Sequence, residues 1–222
     1  LWNTSITNQG LEVLKSLPSL SALNLFGTKI TNEGLEHLKD LKKLTVLELP
    51  TQIGDKGMEH LKSIKSLMVL YLKETQVGDE GLLTLSGLPH LSVLYLRESL
   101  VGNKGAKALE SFSKLRWLDI WGTQIDNQGL SFLEKTKDLT VLYLPGETND
   151  EGFQNTRFLK NLKWLDVAWS QVTDQGLGVL QNLKNLNWLN LGGLNLSNDG
   201  MKNLSELLKL TWLNLGGVDI SE

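Results

Sequence analysis

A glycine returns along this chain at a nearly fixed interval, at Gly10, Gly34, Gly57, Gly81, Gly105, Gly129, Gly152, Gly176 and Gly200. The steps are 24, 23, 24, 24, 24, 23, 24 and 24 residues. Each glycine is followed by an apolar residue and preceded, two places earlier, by Asn or Asp. Self-similarity at a period of roughly 20 to 50 residues takes precedence over any element-by-element reading, because a unit that short must bury its apolar face against its neighbours. Written out, the unit is L-x-x-L-x-L-x-x-T-x-I-x-[DN]-x-G-L-x-x-L-x-x-L-x-x, as from Leu20 to Lys43. Eight units run from Leu20 to Lys209, with a partial unit at each end.

Within a unit, the fourth and sixth positions are leucine-rich and alternate with the third and fifth, the period-two signature of one short strand. Further on, apolar residues recur every three positions, as in Leu35, Leu38 and Leu41, which predicts a short helix of about three turns. The Asn or Asp at the thirteenth position is suited to accept from the free N–H groups of the turn that follows it. The repeated glycine falls in the first helical turn, where it is a poor helix former. A side chain there is expected to collide with the neighbouring coil.

One strand and one helix per unit, stacked in sequence, resembles a leucine-rich repeat. The likeness is to the 24-residue bacterial type with T-x-[IV]-[TGD]-[DN]-x-G-[LM], close to the cysteine-containing class. It covers essentially the whole chain. The ninth position departs from that pattern, carrying Thr28, Thr75, Ser99, Thr123 and Ser170 where Asn or Cys is usual, so hydroxyls are expected to satisfy the backbone ladder of the turn. The resemblance implies an α/β fold: a right-handed leucine-rich-repeat solenoid, or horseshoe, with a parallel sheet on the concave face and helices on the convex one.

The units containing Glu48 and Tyr143 lack one residue just after the strand and place Pro50 and Pro145 there. These units are expected to distort the ridge beside the sheet. The second also carries Thr148 in place of the buried isoleucine, and its stretch GFQNTRFLKN has a weak helical pattern, so local irregularity is expected. A loop of this kind either serves binding or has drifted. No linker interrupts the series, which predicts one domain over residues 1–222. The chain opens at the sixth position of a unit and closes just after Ile220, leaving apolar ends uncapped, and is expected to be a fragment of a longer protein.

Composition removes several functions. The formal charge of −3 argues against nucleic acid as a partner, which calls for a basic excess. No apolar run approaches the roughly 20 residues of a membrane-spanning helix, so no membrane insertion is expected. Without cysteine there is no thiolate metal site or cysteine nucleophile, and the compartment stays undetermined. The chain contains no G-x-G-x-x-G, P-loop, H-E-x-x-H or G-x-S-x-G motif, so no catalytic residue, metal or cofactor is assigned. His37 and His60 share one helical slot in adjacent units and read as solvated; His90 precedes a strand without an identifiable partner.

The aromatic residues are not scattered. With the fourth and sixth leucines inward, the third, fifth and seventh positions and the adjoining eighth face the concave surface. All seven tryptophans fall on these slots: Trp117, Trp164, Trp188 and Trp212 at the third, Trp2 and Trp121 at the seventh, Trp169 at the eighth. All three tyrosines, Tyr71, Tyr95 and Tyr143, hold the fifth, shared with Asp119, Asp166, Asn24, Asn190 and Asn214. Strands about 4.8 Å apart would make a ladder of Trp164, Trp188 and Trp212, with Val141 separating it from Trp117. Acidic residues outnumber basic ones here, Glu48, Glu74, Glu98, Asp119 and Asp166 against Lys73 and Arg97, although Lys73 with Glu74 and Arg97 with Glu98 could neutralise one another. The candidate ligand-binding residues are Tyr71, Tyr95, Trp117, Asp119, Trp121, Tyr143, Trp164, Asp166, Trp169, Trp188, Asn190, Trp212 and Asn214. Rings among carboxylates suit a protein or peptide with basic residues, bound without catalysis. The alternative is a glycan, stacked on the same tryptophans and hydrogen-bonded by the same Asp and Asn residues.

Overall fold

Each alternating segment forms a strand three residues long. In a computed structural model, which describes residues 1–218, the strands are Ala22–Asn24 (β1), Val46–Glu48 (β2), Val69–Tyr71 (β3), Val93–Tyr95 (β4), Trp117–Asp119 (β5), Val141–Tyr143 (β6), Trp164–Asp166 (β7), Trp188–Asn190 (β8) and Trp212–Asn214 (β9). They form one parallel sheet in chain order. Register is one to one throughout, so third-position residues lie in one row and fifth-position residues in another. The leucine between the two rows points the other way. From Leu23 to Leu189 it is buried in every strand, and with the sixth-position residues from Leu25 to Leu191 it forms one continuous core. A slip of one residue would turn this row out into solvent.

The convex side is built from helical segments of up to nine residues, Asn8–Ser16 among them, close to the three turns expected, but much of their length is 3₁₀. Asn32–Leu38 is wholly 3₁₀, whereas Asp150–Phe153 is α and passes into 3₁₀ at Gln154–Phe158. The apolar spacing explains the preference, since residues three apart eclipse in a helix of three residues per turn. Leu35, Leu38 and Leu41 are all enclosed on that rhythm. Among the described residues no helix is long and apolar enough to cross a membrane.

The thirteenth-position residue does more between units than within its own turn. Asn8 accepts from Thr31 N–H, Asn32 from Gly54, Asp55 from Gly78, Asp79 from Gly102, Asn103 from Asp126, Asn127 from Asn149, Asp150 from Thr173 and Asp174 from Ser197, at 2.6–3.0 Å. The sequence pattern suggested a cap because the same residue types serve both roles, but here the acceptor is aimed at the next coil. The repeated glycine makes room for it. A Cβ on Gly129 or Gly152 would stand 2.1 Å from the side-chain oxygen of the preceding unit's Asn103 or Asn127. The ninth-position hydroxyls satisfy backbone groups of their turns as expected in four units: Thr28, Thr75 and Thr123 donate to Leu25, Leu72 and Ile120 carbonyls at 2.6–2.7 Å and Ser170 accepts from Val172 N–H, whereas the Ser99 hydroxyl has no partner among the described residues.

After each full-length unit's strand the chain passes through a left-handed residue at the eighth position, among them Gly27, Gly122, Gly193 and Gly217 at φ 68–75°. The two short units have none there, because the missing residue is the left-handed one. Their strands nevertheless stay in register. After Tyr143 the expected irregularity is confined to Thr148, which is buried with its hydroxyl unpartnered among the described residues, while the helix that follows forms as in other units. Phe153 and Thr156 are fully enclosed, and the Thr156 hydroxyl satisfies its unit by donating to Phe153 carbonyl. The histidines are not solvated as expected: both are half-buried, and the His37 side chain is only 12% exposed, with Nδ1 unpartnered. Ile220 lies outside the described residues.

Candidate functional site

The two outward rows of the sheet converge on one chain of rings. Tyr71 stacks on Tyr95 with centroids 4.5 Å apart, and Tyr95 lies 5.7 Å from Trp117. Tyr143 is 6.3 Å from Trp117 and 6.4 Å from Trp164. Trp164, Trp188 and Trp212 follow as a face-to-face stack at 3.8 and 4.1 Å. The ladder of three tryptophans matches the strand spacing. The gap at Val141 does not exist, because Tyr143, one slot further along the same strand, leans into it. Strand arithmetic along one row could not see this, since rings of neighbouring rows meet diagonally. Stacking covers both faces of the Trp188 ring, one against Trp164 and the other against Trp212. The indole N–H groups of Trp117 and Trp164, on either side of Tyr143, are buried without an acceptor among the described residues.

Beneath the rings, the fifth-position polar groups each hold the turn that leaves their strand. Asn24, Asp119, Asp166, Asn190 and Asn214 accept, through Oδ1, from the backbone N–H two residues on, at 2.9–3.1 Å. Asn190 Nδ2 donates to Asp166 Oδ2 at 3.0 Å, and Asn214 Nδ2 donates to Asn190 Oδ1 at 2.9 Å, linking three strands. Asp119 is only 5% exposed. That burial holds its carboxyl above the ordinary aspartate range, against the opposing pull of the Trp121 N–H and Arg97. Burial likewise pushes the Tyr95 and Tyr143 hydroxyls up to about 12.

The seventh and eighth positions carry the outermost rings. Trp169 is 71% exposed and has φ of 59°, in a slot that is glycine in four other units. Its ring stands over Gly193, where a Cβ would come within 2.4 Å of Cε3. Trp121 is half-buried, with the Arg97 guanidinium 4.1 Å above its ring. Between Trp121 and Trp169 lies the unit shortened at Pro145, and a pocket of about 230 Å³ opens there, with Tyr143 and Asp166 in its lining. Trp2, 61% exposed in the first coil, belongs to none of these groupings. The two charge pairs form within their own units, Lys73 with Glu74 at 2.9 Å and Arg97 with Glu98 at 3.4 Å. Sequence reading placed Arg97 on the face but not on Trp121, because a long side chain's rotamer is fixed by what surrounds it.

A family profile described as Leucine Rich repeat matches residues 16–39. Among solved structures, internalin C2 (inlC2) of Listeria monocytogenes is similar with a TM-score of 0.60 and 26% identity, over 96% of this chain and 78% of its own. An internalin (inlF) of the same organism has a TM-score of 0.50 and 20% identity, over 94% and 78%, a likeness that bears on the fold alone. No curated protein matches significantly.

Proposed function

Because the chain is a leucine-rich-repeat protein, we propose that it is a non-catalytic binding module whose concave face, from β3 to β9, takes a protein or peptide ligand. One observation carries the reading. Trp169 holds a left-handed backbone that disfavours any side chain with a Cβ, and leaves most of its indole in solvent. Glu74 and Glu98 hold the same backbone in the same slot, and the Trp169 ring rests partly over Gly193, but Trp169 alone places an aromatic there, the kind of residue on which interfaces concentrate their energy. The ring series beside it extends the surface over seven strands and needs little reordering to bind.

A glycan is the second reading, favoured by the exposed indole of Trp169. It has less support from Trp164 and Trp188, whose faces are already stacked. Affinity capture followed by titration of the purified partner tests the leading reading. Trp169→Gly is expected to weaken binding tenfold or more, and Val13→Ala on the convex side to leave it unchanged. Equal affinity of wild type and Trp169→Gly would overturn the assignment. Oligosaccharides that quench tryptophan fluorescence at unchanged affinity in high salt would move it to the glycan.

A further inference from the structure

Resting on that reading of the concave face, we propose that the pocket between Trp121 and Trp169 is a subsite for one arginine side chain of the partner. Its position follows from the chain itself. Trp121 closes one unit's turn and Trp169 the turn two units on, while the unit between them is a residue short at Pro145 and has no eighth-position side chain to fill the space. What drift in a loop would leave as an indentation is here walled by Trp121, Tyr143 and Trp169.

The chemistry is that of a planar cation. One face of Trp121 is already covered by the Arg97 guanidinium at 4.1 Å, which leaves the exposed Trp169 ring as the face open to an incoming one. The Asp166 carboxylate lies in the lining. One of its oxygens takes the Ala168 N–H and the other the Asn190 amide. Each carboxylate oxygen accepts about two hydrogen bonds, so a lone pair remains on each, spaced for the fork of a guanidinium. Asp119, outside the lining, is close enough to feel the charges of Asp166 and Arg97, and Arg97, the one cation in the lining, is held to Glu98 at 3.4 Å. A planar group can lie against rings and still donate in its own plane to the carboxylate. An ammonium, a compact point charge, uses neither feature as well. Arg97 thus occupies one wall of the pocket and sets its charge threshold: an incoming guanidinium must be accommodated beside it.

The test is a titration of protein labelled with ¹⁵N at its indole nitrogens, with Nα-acetyl-arginine N-methylamide and, in parallel, the uncharged isostere Nα-acetyl-citrulline N-methylamide. The arginine compound is expected to shift the Trp121 and Trp169 indole signals with Kd on the order of 1 mM, the range open to a ligand of this size. The citrulline compound should leave both in place. Trp169→Gly should abolish the shift at Trp121. Asp166→Asn, which keeps the Oδ1 acceptor and copies the residue of β1, β8 and β9, should weaken binding at least fivefold, and Arg97→Ala should tighten it severalfold. Shifts reproduced by citrulline, shifts surviving Trp169→Gly, binding weakened by Arg97→Ala, or silence from wild type and Arg97→Ala alike at 50-fold the expected Kd (about 50 mM) would each overturn the subsite. A silent titration, with partner binding still sensitive to Trp212→Ala, removes the arginine pocket and leaves the concave face standing. Arginine binding in the pocket, with partner affinity indifferent to every concave substitution, removes the face as the partner's site.

Discussion

At the scale of single residues, the polar row under the rings is a set of turn acceptors before it is anything else. Asp119 is the member whose charge is costly. Its folded-state carboxyl titrates above an unfolded aspartate, so the native protein holds the proton more tightly than the unfolded chain does. Ionised Asp119 therefore lowers stability at neutral pH, and that loss is recovered as pH falls through the folded value toward the unfolded one, about 3.9. Asp119→Asn keeps the acceptor for Trp121 N–H, as Asn24, Asn190 and Asn214 do for their own turns. It should raise the urea midpoint at pH 7 and flatten the part of the pH dependence that Asp119 supplies. A lower midpoint at pH 7 would show that the charge is stabilising. Trp169→Gly should be neutral to stability or raise the unfolding temperature by about 2–4 °C, because relief of about 1 kcal/mol of backbone strain outweighs a mostly exposed contact. The slots of both residues were legible from the two-residue alternation. The depth of Asp119 was not, because it depends on the tyrosines on either side, Tyr95 and Tyr143, brought in by register.

Elements couple to their neighbours through one recurring pair, the Asn or Asp of a unit and the glycine of the next. Asn127 accepts from Asn149 N–H at 2.9 Å, and a Cβ on Gly152 would meet the same oxygen at 2.1 Å. Each substitution alone, Asn127→Ala or Gly152→Ala, should destabilise by about 1–3 kcal/mol. Together they should fall short of the sum by at least about 1 kcal/mol, since removing the amide vacates the space the methyl needs. An additive cycle would contradict this coupling. The glycine's purpose was legible from its misfit in a helix, but the partner it accommodates was not, because local sequence shows Asn and Asp as caps and hides the next coil. Among the rings, Trp164→Ala should cost on the order of 3 kcal/mol, while Trp164→Phe, which keeps a ring and deletes a buried N–H without an acceptor, should stay within about 1 kcal/mol of wild type. Equal losses would mean that the stack contributes little. The helical segments reach about the three turns expected, and their share of 3₁₀ follows from the three-residue apolar spacing, which is the 3₁₀ period.

For the whole molecule, repetition made the architecture legible, since nine glycines at one spacing leave few ways to arrange a chain other than as a stack. The departures from repetition were harder to read. The loss of one residue at Pro145 leaves the strands in register and the helix that follows intact. It opens a pocket between two tryptophans that lie 48 residues apart in sequence. Sequence comparison of units marks such a deletion, but only the register of the coils on either side shows what borders it. The account's central claim is that the ligand lies in the hollow, against the outermost rings. Hydroxyl-radical footprinting of the purified complex, read by mass spectrometry at each tryptophan, tests this directly. Trp169, the most exposed of the seven, and Trp212 should lose at least half their reactivity on binding while Val13, on the helix Asn8–Ser16 of the far side, keeps its own. Trp169 as reactive in the complex as in the free protein, with protection at Val13, would contradict it.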